Sequence, residues 1–342
     1  MSSLLEIESL RVQFPGEEGP LVAVKGVDLA IEPGEVVGLV GESGSGKSLT
    51  CRAVMRMIPE PGTIDAGGIR FDGKDVLAMG KSELRDFRAH SVGMIYQNPF
   101  GSLNPVMRAG EQIAETLRVN RGLGRSAART EAVALLDRVG IEDPERRYRA
   151  YPHELSGGMC QRVMIAIATA SSPRLMLADE PTTALDVTTQ AQILKLLAQM
   201  SAEQGMTMLL VSHDFGVVAQ ACDRVAVMYG GHVVEAGPVE TIYHEPEHPY
   251  TRALLNSVPE LDSAGNVRRR AALSGHPPEL SDVFPGCVFA PRCDHARPEC
   301  ETVSMKLADL GDGHSTACPV RPFAASGSGP ANGAAKVERI EA

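Results

Sequence analysis

Gly41–Glu42–Ser43–Gly44–Ser45–Gly46–Lys47–Ser48 is the stretch whose reading decides the fold. It matches G-x-x-x-x-G-K-[ST] at every fixed position. Upstream, Glu35–Val36–Val37–Gly38–Leu39–Val40 is a short apolar run suited to a buried parallel strand. Downstream, Leu49 to Met57 reads as a helix. Glycines let consecutive backbone N–H groups turn inward as an anion nest, and the helix N-terminus adds the positive end of its dipole. Lys47 then places a point charge on the β- and γ-phosphates, and Ser48 offers a hydroxyl to Mg²⁺. The nucleotide contacts expected here are Gly41, Ser43, Gly44, Ser45, Gly46, Lys47, Ser48 and Leu49.

Working outward, Leu5 to Phe14 and Val22 to Ile31 alternate apolar and polar residues like half-buried strands, with Gly16 to Pro20 as the turn between them. From about Glu111 to Ala150 the spacing of Ile113, Leu117, Ala132, Leu135, Leu136 and Val139 predicts a helical insertion. Val163–Ala170 (helix), Leu175–Ala178 (strand), Gln190–Ala202 (helix) and Met206–Val211 (strand) follow. Strands alternating with helices predict a parallel α/β sheet. The apolar run Leu175–Ala178 delivers two acids, Asp179 and Glu180, at the strand end where such sheets bind ligands. Asp179 is placed to hold Mg²⁺, and Glu180 to polarise a water for in-line attack.

Length and composition bound the rest. The 342 residues suggest about two domains. Apolar residues at 43 % and charged residues at 22 % exclude a mostly disordered chain. The longest mid-chain apolar run, Val163 to Ala168, is far short of the ~20 residues of a membrane span, and no signal peptide is visible. The net charge of −10 argues against nucleic acid as a partner; the short cluster Arg268–Arg269–Arg270 reads as a solvated loop. After Gly237 the composition shifts: nine prolines lie between Pro238 and Pro298, with four of the nine histidines, which predicts an appended, loop-rich unit. From Ser326 the composition predicts a disordered tail.

Leu155–Ser156–Gly157–Gly158–Met159–Cys160–Gln161–Arg162 resembles the signature of ATP-binding cassette (ABC) ATPases. Other marks stand in the family's order: Gln97 after an apolar strand, Ala184–Leu185–Asp186 after Glu180, His213 at the end of a strand, and Phe14, 27 residues before Gly41. The resemblance implies an α/β, ABC-type P-loop ATPase with a parallel sheet core, an antiparallel β subdomain and a helical subdomain, plus a loop-rich C-terminal extension. It divides the chain into a nucleotide-binding domain over residues 1–240 (helical subdomain about 100–165), an extension over 241–325 and a tail over 326–342. It also implies roles. Phe14 stacks on adenine; Ser156, Gly157 and Gly158 grip the γ-phosphate of ATP held by an opposite subunit; His213 contacts the γ-phosphate; Gln97 senses Mg²⁺ and the membrane partner; Asp186 lies at the dimer seam. Two positions depart from the pattern. Met159 replaces the usual glutamine, and Cys160 stands where many relatives carry a basic residue, either as a thiol activated by a helix N-terminus or as a tolerated small side chain.

Gln97–Asn98–Pro99–Phe100–Gly101–Ser102–Leu103–Asn104–Pro105 looks like the peptide and nickel importer branch, and His248–Pro249–Tyr250–Thr251–Arg252–Ala253–Leu254–Leu255 is similar to the start of the oligopeptide and dipeptide importer extension. The branch implies a partner ATPase, two transmembrane permeases, an extracytoplasmic binding protein and a peripheral place on the cytoplasmic face of the inner membrane. The competing reading, a soluble ABC ATPase of translation or DNA repair, would go with two cassettes or a long coiled coil; here there is one cassette and no heptad run.

Cys287, Cys293, Cys300 and Cys318 are spaced C-x5-C-x6-C-x17-C and flanked by prolines. Four thiolates suit a tetrahedral Zn²⁺ or an iron–sulfur cluster. Structural zinc sites use shorter C-x2–4-C pairs, so the spacing favours a cubane; zinc, with His295 or His314 substituting, and plain cysteines are the alternatives. Peptide-importer ATPases of the resembled kind carry a [4Fe–4S] cluster in this extension. Its expected role is a structural staple, with a redox sensor as the bolder reading.

Overall fold

The computed structural model describes residues 3–65, 67–183, 185–257, 260–261, 267–268, 273 and 275–323. The tail expected from residue 326 lies outside the described residues, as do Ala184, Arg269 and Arg270. The described residues divide into two compact units: those up to Leu77 together with those from Leu210 to Phe323, and the stretch Ala78–Leu209.

The first unit begins with β1 (Leu5–Phe14), at the bounds its alternation predicts, and β2 (Leu21–Ile31), which starts one residue before the expected Val22; the two pair antiparallel. Leu5, Ile7, Leu10 and Val12 bury one face of β1, and Val24, Val27, Leu29 and Ile31 one face of β2. β3 (Val36–Val40) leads into the glycine-rich loop and α1 (Lys47–Val54). This helix starts two residues before the expected Leu49, because Gly46 in a left-handed conformation caps it. Then come β4 (Thr63–Asp65), β5 (Gly68–Phe71) and β6 (Lys74–Asp75), which extend the antiparallel sheet in the order β2-β1-β5-β6, with β4 also on β1.

The second unit holds α2 (Lys81–Asp86), β7 (Val92–Ile95), α3 (Pro99–Ser102), α4 (Ala109–Arg121), α5 (Arg125–Arg138), α6 (Pro144–Tyr148), α7 (Gly157–Thr169), β8 (Leu175–Asp179) and α8 (Val187–Gln204). β9 (Thr207–Ser212) follows, and the unit boundary falls inside it. β7 and β8 are parallel, Val92 opposite Leu175 through Ile95 opposite Ala178. The helical insertion is present as α4 to α6, with Ile113, Leu117, Ala132, Leu135 and Leu136 buried. α7 starts at Gly157, six residues before the expected Val163, because Ser156 caps it.

Returning to the first unit, α9 (Phe215–Ala221), β10 (Arg224–Tyr229) and β11 (His232–Pro238) precede the extension. The extension holds α10 (Val239–His244), α11 (Pro249–Asn256), β12 (Glu260–Leu261), β13 (Val267–Arg268), β14 (Ala308–Gly311) and β15 (His314–Thr316). Strands of this unit run β14-β15-β11-β10-β3, with β10 parallel to β3 and the others antiparallel. The extension is therefore less loop-rich than its prolines suggest. Pro249 sits in the first turn of α11, where the missing N–H costs nothing. β15 continues the sheet that carries β3, pairing Thr316 with Glu235.

Glu235 anchors this junction. It is fully buried on β11, and its carboxylate accepts the N–H groups of Glu247 (2.6 Å) and His248 (3.1 Å) and lies 2.8 Å from His314 Nε2. Buried carboxylates require such partners. His314 is thus committed to Glu235. Among the described residues no helix is long and apolar enough to cross a membrane.

Candidate functional site

The end of β3 places the phosphate-binding loop. A Cβ on Gly41 would lie 2.0 Å from the carbonyl oxygen of Met228, so only glycine lets the loop pass this close to β10. The Lys47 ammonium is buried and folded onto the loop, donating to Gly41 O (2.7 Å) and Glu42 O (2.8 Å). Ser45 is buried, while Ser43 and Gly44 are exposed and Ser48 is half-buried at the start of α1. No side chain caps α1, which leaves the capping of its first turn to the loop itself. Phe14 is half-buried at the end of β1, its ring edge 2.6 Å from where a Cβ on Gly62 would be.

Glu42, inside the loop, is held from three directions. Its backbone N–H donates to the Tyr250 hydroxyl (2.8 Å) and its carbonyl accepts from Lys47. Its carboxylate takes both arms of the Arg292 guanidinium, at 2.8 and 3.1 Å. Arg292 also donates to the Tyr229 hydroxyl at 3.0 Å. Tyr229, Tyr250 and Phe289 form an aromatic cluster with ring centroids 4.5–5.5 Å apart. Tyr250 and Arg292 are 208 and 250 residues away in sequence, and sequence reading assigned neither to the nucleotide site.

In the second unit, Asp179 is buried at the end of β8 and Glu180 follows in a left-handed backbone conformation, φ 47°. Such strain at a non-glycine residue is found where a side chain must be aimed. Glu180 Oε2 accepts from Gln97 Nε2 (2.8 Å) and from the Thr183 hydroxyl (2.8 Å). The structure thus joins Gln97 to Glu180, two residues named from sequence 83 positions apart, and adds Thr183, which sequence reading missed although it stands only three residues on.

Ser156 is exposed and caps α7, its hydroxyl accepting the Met159 N–H at 3.3 Å. Gly157 and Gly158 form the first turn of α7; a Cβ on Gly158 would meet the Thr189 methyl at 2.8 Å. Thr189 belongs to Asp186 as well: the Asp186 carboxylate accepts the Thr189 N–H (3.0 Å) and hydroxyl (2.7 Å), capping α8. The backbone hydrogen bond from Thr189, with its hydroxyl second, holds Asp186 below the usual carboxylate range. Cys160 is fully buried, its thiol reaching Pro152 O, and burial pushes its pKa up to about 11, which removes the activated-thiol alternative. His213 is exposed just after β9, in the other unit from Glu180.

Beyond Gln97, Asn98 caps α3 by accepting the Gly101 N–H. Asn104 is clipped to α4 through Gln112, whose amide bonds Asn104 N and O. This segment carries Phe100 and Val106, respectively 52 % and 82 % exposed.

Cys287, Cys293, Cys300 and Cys318 all line one small cavity, together with His248, Phe289 and His295. Burial raises the thiol pKa values of Cys287, Cys318 and Cys293, the last to about 11. Among the described residues, no three His, Cys, Asp or Glu side chains are grouped closely enough to hold a single metal ion. Neither the cluster nor the zinc expectation therefore has a formed metal site here.

Comparison with known proteins follows the same division. The ABC transporter family matches residues 24–183, and the oligopeptide/dipeptide transporter C-terminal region matches residues 234–300. A putative peptide import ATP-binding protein of Brucella abortus (strain 2308) is 48 % identical over 325 residues, covering 92 % of this chain and 96 % of that protein. The oligopeptide transport ATP-binding protein OppD of Mycobacterium tuberculosis is 47 % identical over 319 residues, and the match spans 52 % of its length. Among solved structures, a dimeric, post-hydrolysis ATP-binding cassette bound to ADP and Pi aligns with TM-score 0.63 and 30 % identity, over 69 % of this chain and 98 % of that one. With the glycine loop, the Asp179–Glu180 strand end and the capped signature helix in place, these likenesses establish that the chain belongs to the ABC transporter ATPases, in the branch that carries the oligopeptide/dipeptide transporter C-terminal region.

Proposed function

We propose that the chain is the ATP-hydrolysing subunit of a peptide importer. The observation that carries this reading is the Glu180 carboxylate, held at a strand end by Gln97 and Thr183 in a chain that also presents the Lys47 loop. ATP phosphates replace the carbonyls that Lys47 now bonds, and the loop N–H groups receive the phosphate oxygens. Phe14 supports the adenine. Ser48 in one unit and Asp179 and Gln97 in the other are the residues that would hold Mg²⁺, which would supply positive charge to the phosphates. Glu180 takes the proton of the attacking water, its plane fixed by the two donors on Oε2. His213 aligns the γ-phosphate.

Ser156, Gly157 and Gly158 grip the γ-phosphate of ATP bound to a second ATPase subunit, across a seam bordered by Asp186. Closing and reopening of that pair passes to two transmembrane permeases through the segment that follows Gln97 and exposes Phe100 and Val106, and an extracytoplasmic binding protein delivers the peptide. The chain sits peripherally on the cytoplasmic face of the inner membrane. Its cassette spans residues 1–240 and its extension 241–325.

The four cysteines are the residues that would hold a [4Fe–4S] cluster. Their convergence on one cavity is the observation behind this part of the reading. Burial raises the thiol pKa values of Cys287, Cys293 and Cys318, so loading a cluster would release protons. The cluster would supply a covalent staple for the extension. Anaerobically purified protein is expected to be brown with about four irons per chain; colourless protein with one zinc would refute this part.

The whole reading is tested by purification from native membranes and reconstitution. The chain should co-purify with permeases and show peptide-stimulated ATP hydrolysis. Recovery with ribosomes or DNA, and no such stimulation, would overturn it.

A further inference from the structure

The Glu42–Arg292 pair stands outside the roles given so far. A carboxylate in a loop built to receive phosphate carries the wrong charge, and close like charges repel strongly where solvent is excluded. The structure answers with a guanidinium that is only 7 % exposed, bound fork to fork at 2.8 and 3.1 Å. The same guanidinium is fixed by Tyr229 at 3.0 Å and lies 5.7 Å from its ring centroid. Its backbone N–H donates to Phe289 O at 2.9 Å, in the turn that precedes Cys293. The loop's second residue is therefore set by the extension, through Tyr250 on its N–H and Arg292 on its carboxylate.

We propose that Arg292 is a positioning residue of the ATP site: it holds the phosphate-binding loop through Glu42 and cancels the negative charge beside the nucleotide's phosphates. Whatever orders the Cys287–Cys293 segment thereby orders the loop, and by linkage bound nucleotide steadies that segment in return. The proposal rests on the ATPase reading above.

The test uses the full chain and its assembled complex. Binding of a fluorescent ATP analogue to the chain and steady-state ATPase of the complex are measured for wild type, Arg292→Ala, Arg292→Lys, Glu42→Gln and the double variant Glu42→Gln/Arg292→Ala. Arg292→Ala should weaken analogue binding and raise KM for ATP about tenfold, with kcat within twofold. Arg292→Lys keeps the charge but loses the fork and should raise KM about threefold. The double variant should bind no worse than Glu42→Gln alone, because the two side chains act as one unit. If Arg292→Ala does not fold, Arg292→Lys decides. Wild-type KM in a folded Arg292 variant, or additive effects in the double variant, would overturn the proposal. A wild-type complex that does not hydrolyse ATP would instead refute the ATPase reading, and the analogue-binding series would still test Arg292.

Discussion

The phosphate loop and the acid-and-signature region carry comparable chemistry but are braced in opposite ways. Glu180 is held by Thr183, three residues on, Ser156 by Met159, and Asp186 by Thr189, also three on. Gln97 reaches Glu180 from farther away. Glu42 in the loop is held instead by Tyr250 and Arg292, more than 200 residues downstream. One region is buttressed by its own turns, the other by the far end of the chain. Local bracing leaves Ser156 and Asp186 exposed while fixing their orientation. Distant bracing makes the loop's geometry depend on the extension.

Mutations can break this contrast, beginning with the chemistry itself. Glu180→Gln should lower turnover of the assembled complex about 10²–10⁴-fold, as expected for a lost general base, while nucleotide binding persists; rapid-quench and binding assays separate the two. Lys47→Ala removes charge-assisted bonds worth about 1.5–3 kcal/mol, and should weaken ATP binding roughly tenfold to a hundredfold by titration.

Acid should act on the distantly braced unit. Burial lowers the His248 pKa to about 3, and burial followed by the nearby Lys25 charge lowers that of His232 to about 4. Both pKa values lie below the ~6.5 of an unfolded histidine, so their contribution to stability is complete above pH ~6.5. It is lost as pH falls, because the unfolded chain then binds protons that the folded chain refuses. Thermal unfolding should lose several degrees between pH 7 and pH 4.5, and His232→Gln should flatten that slope. The smallest effect belongs to local bracing: Asp186→Ala should loosen the helix cap, read as faster amide exchange at the start of α8.

Sequence patterning was most legible where bracing is local. β1 has the bounds its alternation predicts, with an irregularity at Ser9 (φ 47°) that shifts the buried positions from Leu5 and Ile7 to Leu10 and Val12, and the loop, the Asp179–Glu180 strand end and the Gln97 strand stand where their motifs put them. α7 begins at Gly157 behind the Ser156 cap, at the helix start that the signature resemblance implies and six residues ahead of the apolar run at Val163. α10 and α11 were missed because six- and eight-residue helices carry little periodicity and Pro249 reads as a breaker rather than a first-turn residue. Tyr250 and Arg292 could not be assigned to the loop, since no local pattern records a bond spanning 208 or 250 residues.

Glu235 has a consequence for how this protein can be rearranged. A chain cut near residue 240, the expected end of the cassette, loses Glu247, His248 and His314 together. The carboxylate left behind in the sheet would be uncompensated, a cost of about 3–5 kcal/mol. The extension therefore cannot be exchanged between relatives as a free module unless residue 235 changes with it. A chimera that joins this cassette to a foreign ending inherits the debt of one buried acid, and its success turns on whether the graft brings donors to meet it.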